Sequence, residues 1–149
     1  MKAKIILLSF SLFLVTGIGF AQKKGKGPKS IINEKVTIGK YHNKEELERM
    51  QKGQLLALYT ERNKVLISTL PYIAFATKPG VTMTTLGIPE NNDNIKALDN
   101  QFENTDTYLE NTLEFHKEYL PYSDTRNLIA AILFYEEIMK SLHQYNEFR

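Results

Sequence analysis

The stretch EFHKEYLPYSDTRNLIAAILFY, residues 114–135, combines a helix end, a short connection and a new helix start. Pro121 lacks the backbone N–H that a helix interior requires, so it predicts that the preceding helix ends near Tyr119. Ser123 or Asp124 offers the side-chain oxygen that typically caps the first turn of a helix. Because the connection is so short, the sequence predicts two neighbouring helices that run in opposite directions.

Apolar residues recur at helical spacing on both sides of this connection. Upstream, a helix is predicted from Asn92 or Asp93 to Tyr119, and its apolar stripe contains Ile95, Leu98, Phe102, Leu109, Leu113, His116 and Leu120. Downstream, a helix is predicted to run nearly to the end of the chain, with a stripe formed by Leu128, Ala131, Ile132, Tyr135, Ile138, Met139 and Leu142. Residues 128–135 are apolar nearly all round, which indicates burial on several sides.

A further helix is predicted to begin at Asn43. Asn43 and Glu46 have the spacing of a capping box, in which each side chain accepts the other residue's backbone N–H. This helix continues through Gly53, at a cost of about 1 kcal/mol relative to alanine, and ends or kinks at Pro71. The sequence therefore predicts an all-α fold, with three long helices in an antiparallel bundle over residues 43–149.

The connector TLPYIAFATKPGVTMTTLGIPENN, residues 69–92, is too apolar for an ordinary surface loop. We expect it to fold back over the helices. Its segment TMTTLG, residues 82–87, should form a short helical turn that ends at Gly87. Val81, Leu86 and Ile88 should then be well buried.

The first 21 residues are typical of a secretory signal peptide. Lys2 and Lys4 precede an apolar run, and Gly19-Phe20-Ala21 places small residues before a cleavage site. The apolar run from Ile5 to Phe20 is shorter than the ~20 residues that span a bilayer, so an uncleaved membrane anchor is the less favoured alternative. The absence of cysteine fits a bacterial periplasmic or secreted protein better than a small disulfide-rich animal domain.

Residues 22–42 are predicted to form a basic tether followed by an extended arm. The formal net charge of +2 becomes neutral once Lys2 and Lys4 are removed, and residues 30–149 carry a net charge of −4 because four lysines lie in the tether. The cations are not interleaved with aromatic residues, so no nucleic-acid binding is expected. Only weak contact with a membrane is expected, through Lys23, Lys24, Lys26 and Lys29.

Catalytic motifs are missing from the sequence. It has no glycine-rich phosphate loop, no Gly-x-Ser-x-Gly and no His-Glu-x-x-His, and a chain without cysteine offers no thiol nucleophile. We therefore expect a protein that is not an enzyme and needs no cofactor.

A second strip of the helix that ends at Tyr119 carries aromatic residues outside the main stripe. Either the arm 31–41 or another protein is expected to cover it, because aromatic residues supply much of the energy of protein interfaces. A nearby acidic stripe would steer a basic partner, although a solvated face explains the same charges. The predicted interaction surface comprises Tyr108, Phe115, Tyr119, Asp106, Glu110 and Glu114.

Polar residues on the predicted inner faces suggest a pocket or a buried polar cluster. Glu61 is predicted to lie on the inner face of the first long helix, and His116 lies on a stripe of the second. A buried hydrogen bond between Glu61 and His116 or Tyr135 is the simplest interpretation. A metal site is an alternative, although the Glu-x-x-His signature of such bundles is absent. The full set is Glu61, His116, His143, Tyr72 and Phe75.

Two classes of function therefore remain, with a metal-binding bundle as a third. The first is an exported protein-interaction module, whose partner is another envelope or secreted protein or a second copy of the chain. The second is a bundle that binds a small apolar ligand, with residues 69–88 as pocket lining or lid.

Overall fold

The computed structural model describes residues 27–33 and 36–145, and this part of the chain is all-helical. Its helices are α1 (Lys44–Glu48), α2 (Lys52–Thr69), α3 (Asn92–Tyr119) and α4 (Thr125–Tyr145), with short 3₁₀ segments at Leu70–Tyr72, Thr84–Leu86 and Leu120–Tyr122. The predicted signal peptide and the tether lysines Lys23, Lys24 and Lys26 lie outside the described residues. None of the helices described is long and apolar enough to cross a membrane.

The predicted capping box at the start of α1 is confirmed. The Glu46 backbone N–H donates to Asn43 Oδ1 at 2.8 Å, and the Asn43 N–H donates to Glu46 Oε2 at 3.1 Å. The prediction of one continuous helix was wrong, however, because the helix is interrupted between α1 and α2. Gly53 lies in the first turn of α2, and its low helix propensity makes an unbroken helix through this region costly.

The central helix of the fold is α2. Leu55 near its start packs with Leu128 and Ile132 near the start of α4, and Leu66 near its end packs with Met139. These pairs show that α2 and α4 run in the same direction. Although the short connection predicts that α3 and α4 are close neighbours, both helices pack mainly on α2 and make little backbone contact with each other.

The arm lies on the helices and forms part of the core. Ile31 and Ile32 are buried in a cluster with Met83 and Leu98, and the Ile31 N–H donates to the Val81 carbonyl at 2.8 Å. Further along, the arm packs against the cluster that joins α2 and α4, through Val36, Ile38 and Tyr41. The arm therefore closes one end of the helical bundle.

The connector contains the predicted turn. The 3₁₀ segment Thr84–Leu86 ends at Gly87, whose φ of 70° is the left-handed conformation expected at such an end. The burial within the connector differs from the expectation, since Met83 is the deeply buried side chain. Val81, Leu86 and Ile88 are only half-buried and pack around the same cluster. A single turn directs one side chain inward and leaves its neighbours at the edge.

Candidate functional site

Side-chain rings form an unbroken row from α3 across α2 to α4. Successive ring centroids are 4.6, 6.1, 5.3, 5.6 and 5.9 Å apart, within or close to the range of favourable aromatic pairs. We call this set the aromatic row, and its members in spatial order are Tyr119, Phe115, His116, Tyr59, Tyr135 and Phe134.

The two ends of the aromatic row are exposed and its centre is covered. Phe115, Tyr119 and Phe134 are 58%, 62% and 62% exposed, whereas His116 is buried. At the centre, the Tyr135 hydroxyl donates to the Tyr59 hydroxyl at 3.4 Å. Burial, reinforced by this hydrogen bond, raises the pKa of Tyr59 to about 12. The row therefore joins two exposed apolar ends through an interior that holds them in place.

The predicted interaction residues are distributed unevenly around α3. Tyr108, like Phe115 and Tyr119, is largely exposed. At about 100° per residue, Asp106 and Glu110 lie roughly on the opposite face of the helix from these aromatics. Glu114 instead borders a surface depression of about 470 Å³ together with Phe115, and Asn111, Lys117 and Glu118 complete its lining. The acidic groups closest to the aromatic row are thus Glu114 and Glu118.

The arm does not cover these aromatic residues. Its buried residues Ile31 and Ile32 reach α3 near Leu98 and Phe102, in the other half of the helix. Lys29 forms an ion pair with Asp99, and its ammonium lies 5.0 Å from the centre of the Phe102 ring. The described part of the arm therefore leaves the exposed end of the aromatic row on α3 uncovered.

Glu61 and His116, which were predicted to meet, line the same cavity between α2 and α3. They are not bonded to each other, since Glu61 is half-exposed and accepts a hydrogen bond from Arg62 at 2.8 Å. Tyr72 is buried beside Phe102 near the arm, while Phe75 is exposed and His143 lies half-buried on α4. Among the described residues, no three histidine or acidic side chains come together in a way that could hold a metal ion.

A buried ion pair was missed because the inner face of α2 was placed one residue out of register. Arg62, rather than Glu61, points inward, and its Nε donates to Glu136 Oε1 at 2.9 Å. The other Glu136 oxygen accepts the backbone N–H of His42 at 2.6 Å. The sequence spacing could have indicated that both residues face the core. Arg62 lies about one helical turn before the buried Leu66, and Glu136 lies about one turn after the buried Ile132. The network fastens the arm to α2 and α4.

Comparison with known proteins finds no family model, no curated protein and no solved structure that matches this chain. The geometry of the chain itself is therefore the guide to its function. Its most distinctive feature is the aromatic row, which joins exposed rings on two helices through buried His116 and the half-buried rings of Tyr59 and Tyr135.

Proposed function

We propose that the protein is an exported, non-enzymatic interaction module that binds a basic amphipathic helix of another protein along the aromatic row. The observation that carries the proposal is the continuity of the row between Phe115 and Tyr119 on α3 and Phe134 on α4. Isolated exposed aromatics are common on protein surfaces, but exposed rings on two helices that are linked through ring contacts offer two anchors for one partner.

The exposed rings can supply the energy of such an interface. Phe and Tyr dominate interface energetics because each buries a large area and loses few rotamers. Phe115 stacks on Tyr119 with an angle of 23° between the ring planes, so the two side chains already form a joint surface. A partner therefore meets a largely preformed site, which lowers the entropic cost of binding.

The arrangement of the helices favours a helical occupant. We propose an antiparallel bundle in which α3 runs against α2, because Tyr59 lies beside His116 and Tyr72 lies beside Phe102. Since α3 and α4 pack on α2 more than on each other, one further helix can lie along both of them. Docking an amphipathic helix into a groove between helices is a common mode of recognition, and here it would complete a four-helix bundle.

The charges near the row favour a basic partner. Glu114 and Glu118 border the depression beside Phe115, and Lys117 is the single cation in its lining. Positive residues flanking the apolar face of the partner helix would meet these carboxylates. Such contacts at the rim of an interface mainly accelerate association and fix the orientation of the partner.

Export remains part of the proposal. The charged start, the apolar run and the small residues before Gln22 support removal of a signal peptide. Intact-mass analysis of the chain from its native source should show a mature form that begins at Gln22. A membrane-bound form that retains residues 1–21 would contradict this and indicate an anchored protein.

Site-specific photo-crosslinking tests the proposed interface. A photoreactive amino acid is placed at Tyr119 or at Phe134, and Lys96, an exposed residue of α3 outside the aromatic row, serves as the control position. We expect both row positions to crosslink to one helical segment of the same protein, and the control position not to do so. Different proteins at the two positions, or crosslinks only to a second copy of the chain, would overturn the proposal.

A further inference from the structure

A second feature, which shares His116 with the aromatic row, is the open depression between α2 and α3, which we call the α2–α3 cavity. It has a volume of about 670 Å³, within the range of small-molecule sites. Most of its walls are apolar, and the connector 69–88 does not contribute to the described lining. That lining consists of Leu56, Ala57, Thr60, Glu61, Lys64, Leu113, His116, Lys117, Leu120 and Pro121.

One polar group in this cavity lacks a partner. His116 is more than nine-tenths buried, and its Nδ1 atom has no hydrogen-bond partner among the described residues. Burial lowers the pKa of His116 below its ordinary value, so the imidazole is neutral at pH 7. A buried polar atom without a partner costs free energy, and His116 Nδ1 is such an atom, with almost no surface exposed to solvent.

Two cations also line this space. Lys64 of α2 and Lys117 of α3 line the cavity, and neither forms an ion pair or hydrogen bond with a described residue. The one carboxylate in the lining, that of Glu61, is already bound to Arg62. The cavity therefore combines apolar walls with two unpaired ammonium groups.

We propose that the α2–α3 cavity binds an amphipathic organic carboxylate. Its apolar body lies against the walls formed by Leu56, Leu113 and Leu120, and its carboxylate lies between Lys64 and Lys117. Charge-assisted hydrogen bonds from lysine to a carboxylate are stronger than those between neutral groups, while burial of the apolar body supplies the remaining free energy. The neutral ring of His116 lies at the base of this site.

The position of the cavity gives it fixed walls. At one end, the Lys52 ammonium donates to the Pro121 carbonyl at 2.6 Å and so ties the start of α2 to the segment after α3. On the inner side, the His116 ring packs edge-on against Tyr59. These two contacts restrict movement between α2 and α3 at the cavity, and a restricted site lowers the entropic cost of binding.

Titration calorimetry with decanoate, below its critical micelle concentration, tests the proposal. We expect one decanoate per chain, and at least about tenfold weaker binding to the double variant Lys64→Ala/Lys117→Ala, equivalent to about 1.4 kcal/mol. The matched control is Lys78→Ala/Lys96→Ala, which removes the same charge from exposed positions outside the cavity lining. Circular dichroism verifies that both variants keep their helices.

Three results of these measurements would overturn the proposal. Equal weakening in the two double variants would show a general charge effect, and equally tight binding of decyltrimethylammonium would show a non-selective apolar surface. Absence of binding heat, together with unchanged amide resonances at Leu113 and His116, would exclude the site. Phe134→Ala should leave decanoate binding intact, because Phe134 does not line the cavity. Failure of the decanoate test therefore does not affect the proposed protein interface, and failure of the interface test does not affect the decanoate site.

Discussion

The Arg62 guanidinium and the Glu136 carboxylate form an ion pair at 2.9 Å, with side chains that are only 1% and 0% exposed. The pair joins α2 to α4, and the backbone N–H of His42 adds the arm to the same carboxylate. Arg62 also donates to Glu61 and to the Lys40 carbonyl. Each charge therefore has several partners, which is the condition under which a buried ion pair is tolerated.

Removal of one partner of this pair should destabilise the protein strongly. Glu136→Gln leaves the buried Arg62 charge without its main counterion, and we expect the free energy of unfolding to fall by about 3–5 kcal/mol. The matched control is Glu137→Gln, since the neighbouring Glu137 is exposed, and it should change stability by less than about 0.5 kcal/mol. Urea denaturation measures both. Similar losses in the two variants would contradict the role assigned to the pair.

Much of the helical architecture could be predicted from local signals. These signals are the capping box of Asn43 and Glu46, the helix end at Pro121 and the turn end at Gly87. Each acts within a few residues, so it can be recognised in the sequence. Gly53 is a local signal for the break before α2, but whether packing offsets its cost depends on long-range contacts, and Leu47 and Leu55 both join the cluster with α4. The dominance of α2 as a packing partner likewise depends on contacts between residues far apart in the chain.

The candidate site was predictable only in part. Helical spacing indicated the strip with Phe115 and Tyr119, since both depart from the apolar stripe of α3. Phe134 could not be linked to them, because the connection from α3 to α4 passes through Tyr59 on α2, a contact between residues far apart in the chain. The inner face of α2 was misread because a charged residue, Arg62, occupies a core position that apolar periodicity assigns to its neighbours.

Two glycines should respond to alanine in opposite directions. Gly53 lies in α2 with nothing within 4 Å of an added Cβ atom, so Gly53→Ala should stabilise the protein by roughly 0.4–1 kcal/mol. Gly87 also has room for a Cβ atom but has a φ of +70°, so Gly87→Ala should destabilise it by about 1–2 kcal/mol. Thermal denaturation monitored by circular dichroism compares them. Equal shifts would contradict the helix end at Gly87.

The connector should contribute to stability through Met83. This side chain is 3% exposed and packs with Ile31, Ile32 and Leu98, so Met83→Ala should cost about 2–5 kcal/mol of unfolding free energy. Leu70→Ala is the control, because Leu70 is about half-exposed and its loss leaves no buried cavity. Urea denaturation should separate the two variants clearly. A loss at Met83 no larger than at Leu70 would mean that the connector does not hold the arm and α3 together.

Acid should destabilise the protein in part through His116. Burial lowers the pKa of its imidazole in the folded state, so the unfolded chain binds this proton first as the pH falls below about 6.5. Stability is therefore lost toward lower pH, by at most about 1.4 kcal/mol per pH unit for one group. His116→Gln cannot take up this proton and should show a smaller loss between pH 7 and pH 5. Identical pH profiles in urea denaturation would contradict this role.

The aromatic row should be dispensable for folding and essential for binding. Phe115 and Phe134 are exposed in the isolated chain, so Phe115→Ala and Phe134→Ala should each change the unfolding free energy by less than about 0.5 kcal/mol. Against the partner identified by crosslinking, each should weaken binding by about 2 kcal/mol or more, as expected for the anchor residues of an interface.

A third aromatic substitution tests whether binding depends on a ring's position in the aromatic row or only on its exposure. Tyr122 is 88% exposed but lies outside the aromatic row, so Tyr122→Ala should leave affinity unchanged although it removes the more exposed ring. Glu114→Lys/Glu118→Lys should slow association, and the difference should shrink as salt shortens the Debye length to ~3 Å at 1 M. Surface plasmon resonance gives both rates. If Phe115→Ala and Phe134→Ala remain folded and bind the partner as tightly as the unmodified chain, the aromatic row is not the interface, because the exposed rings at both of its ends would then contribute nothing to the affinity.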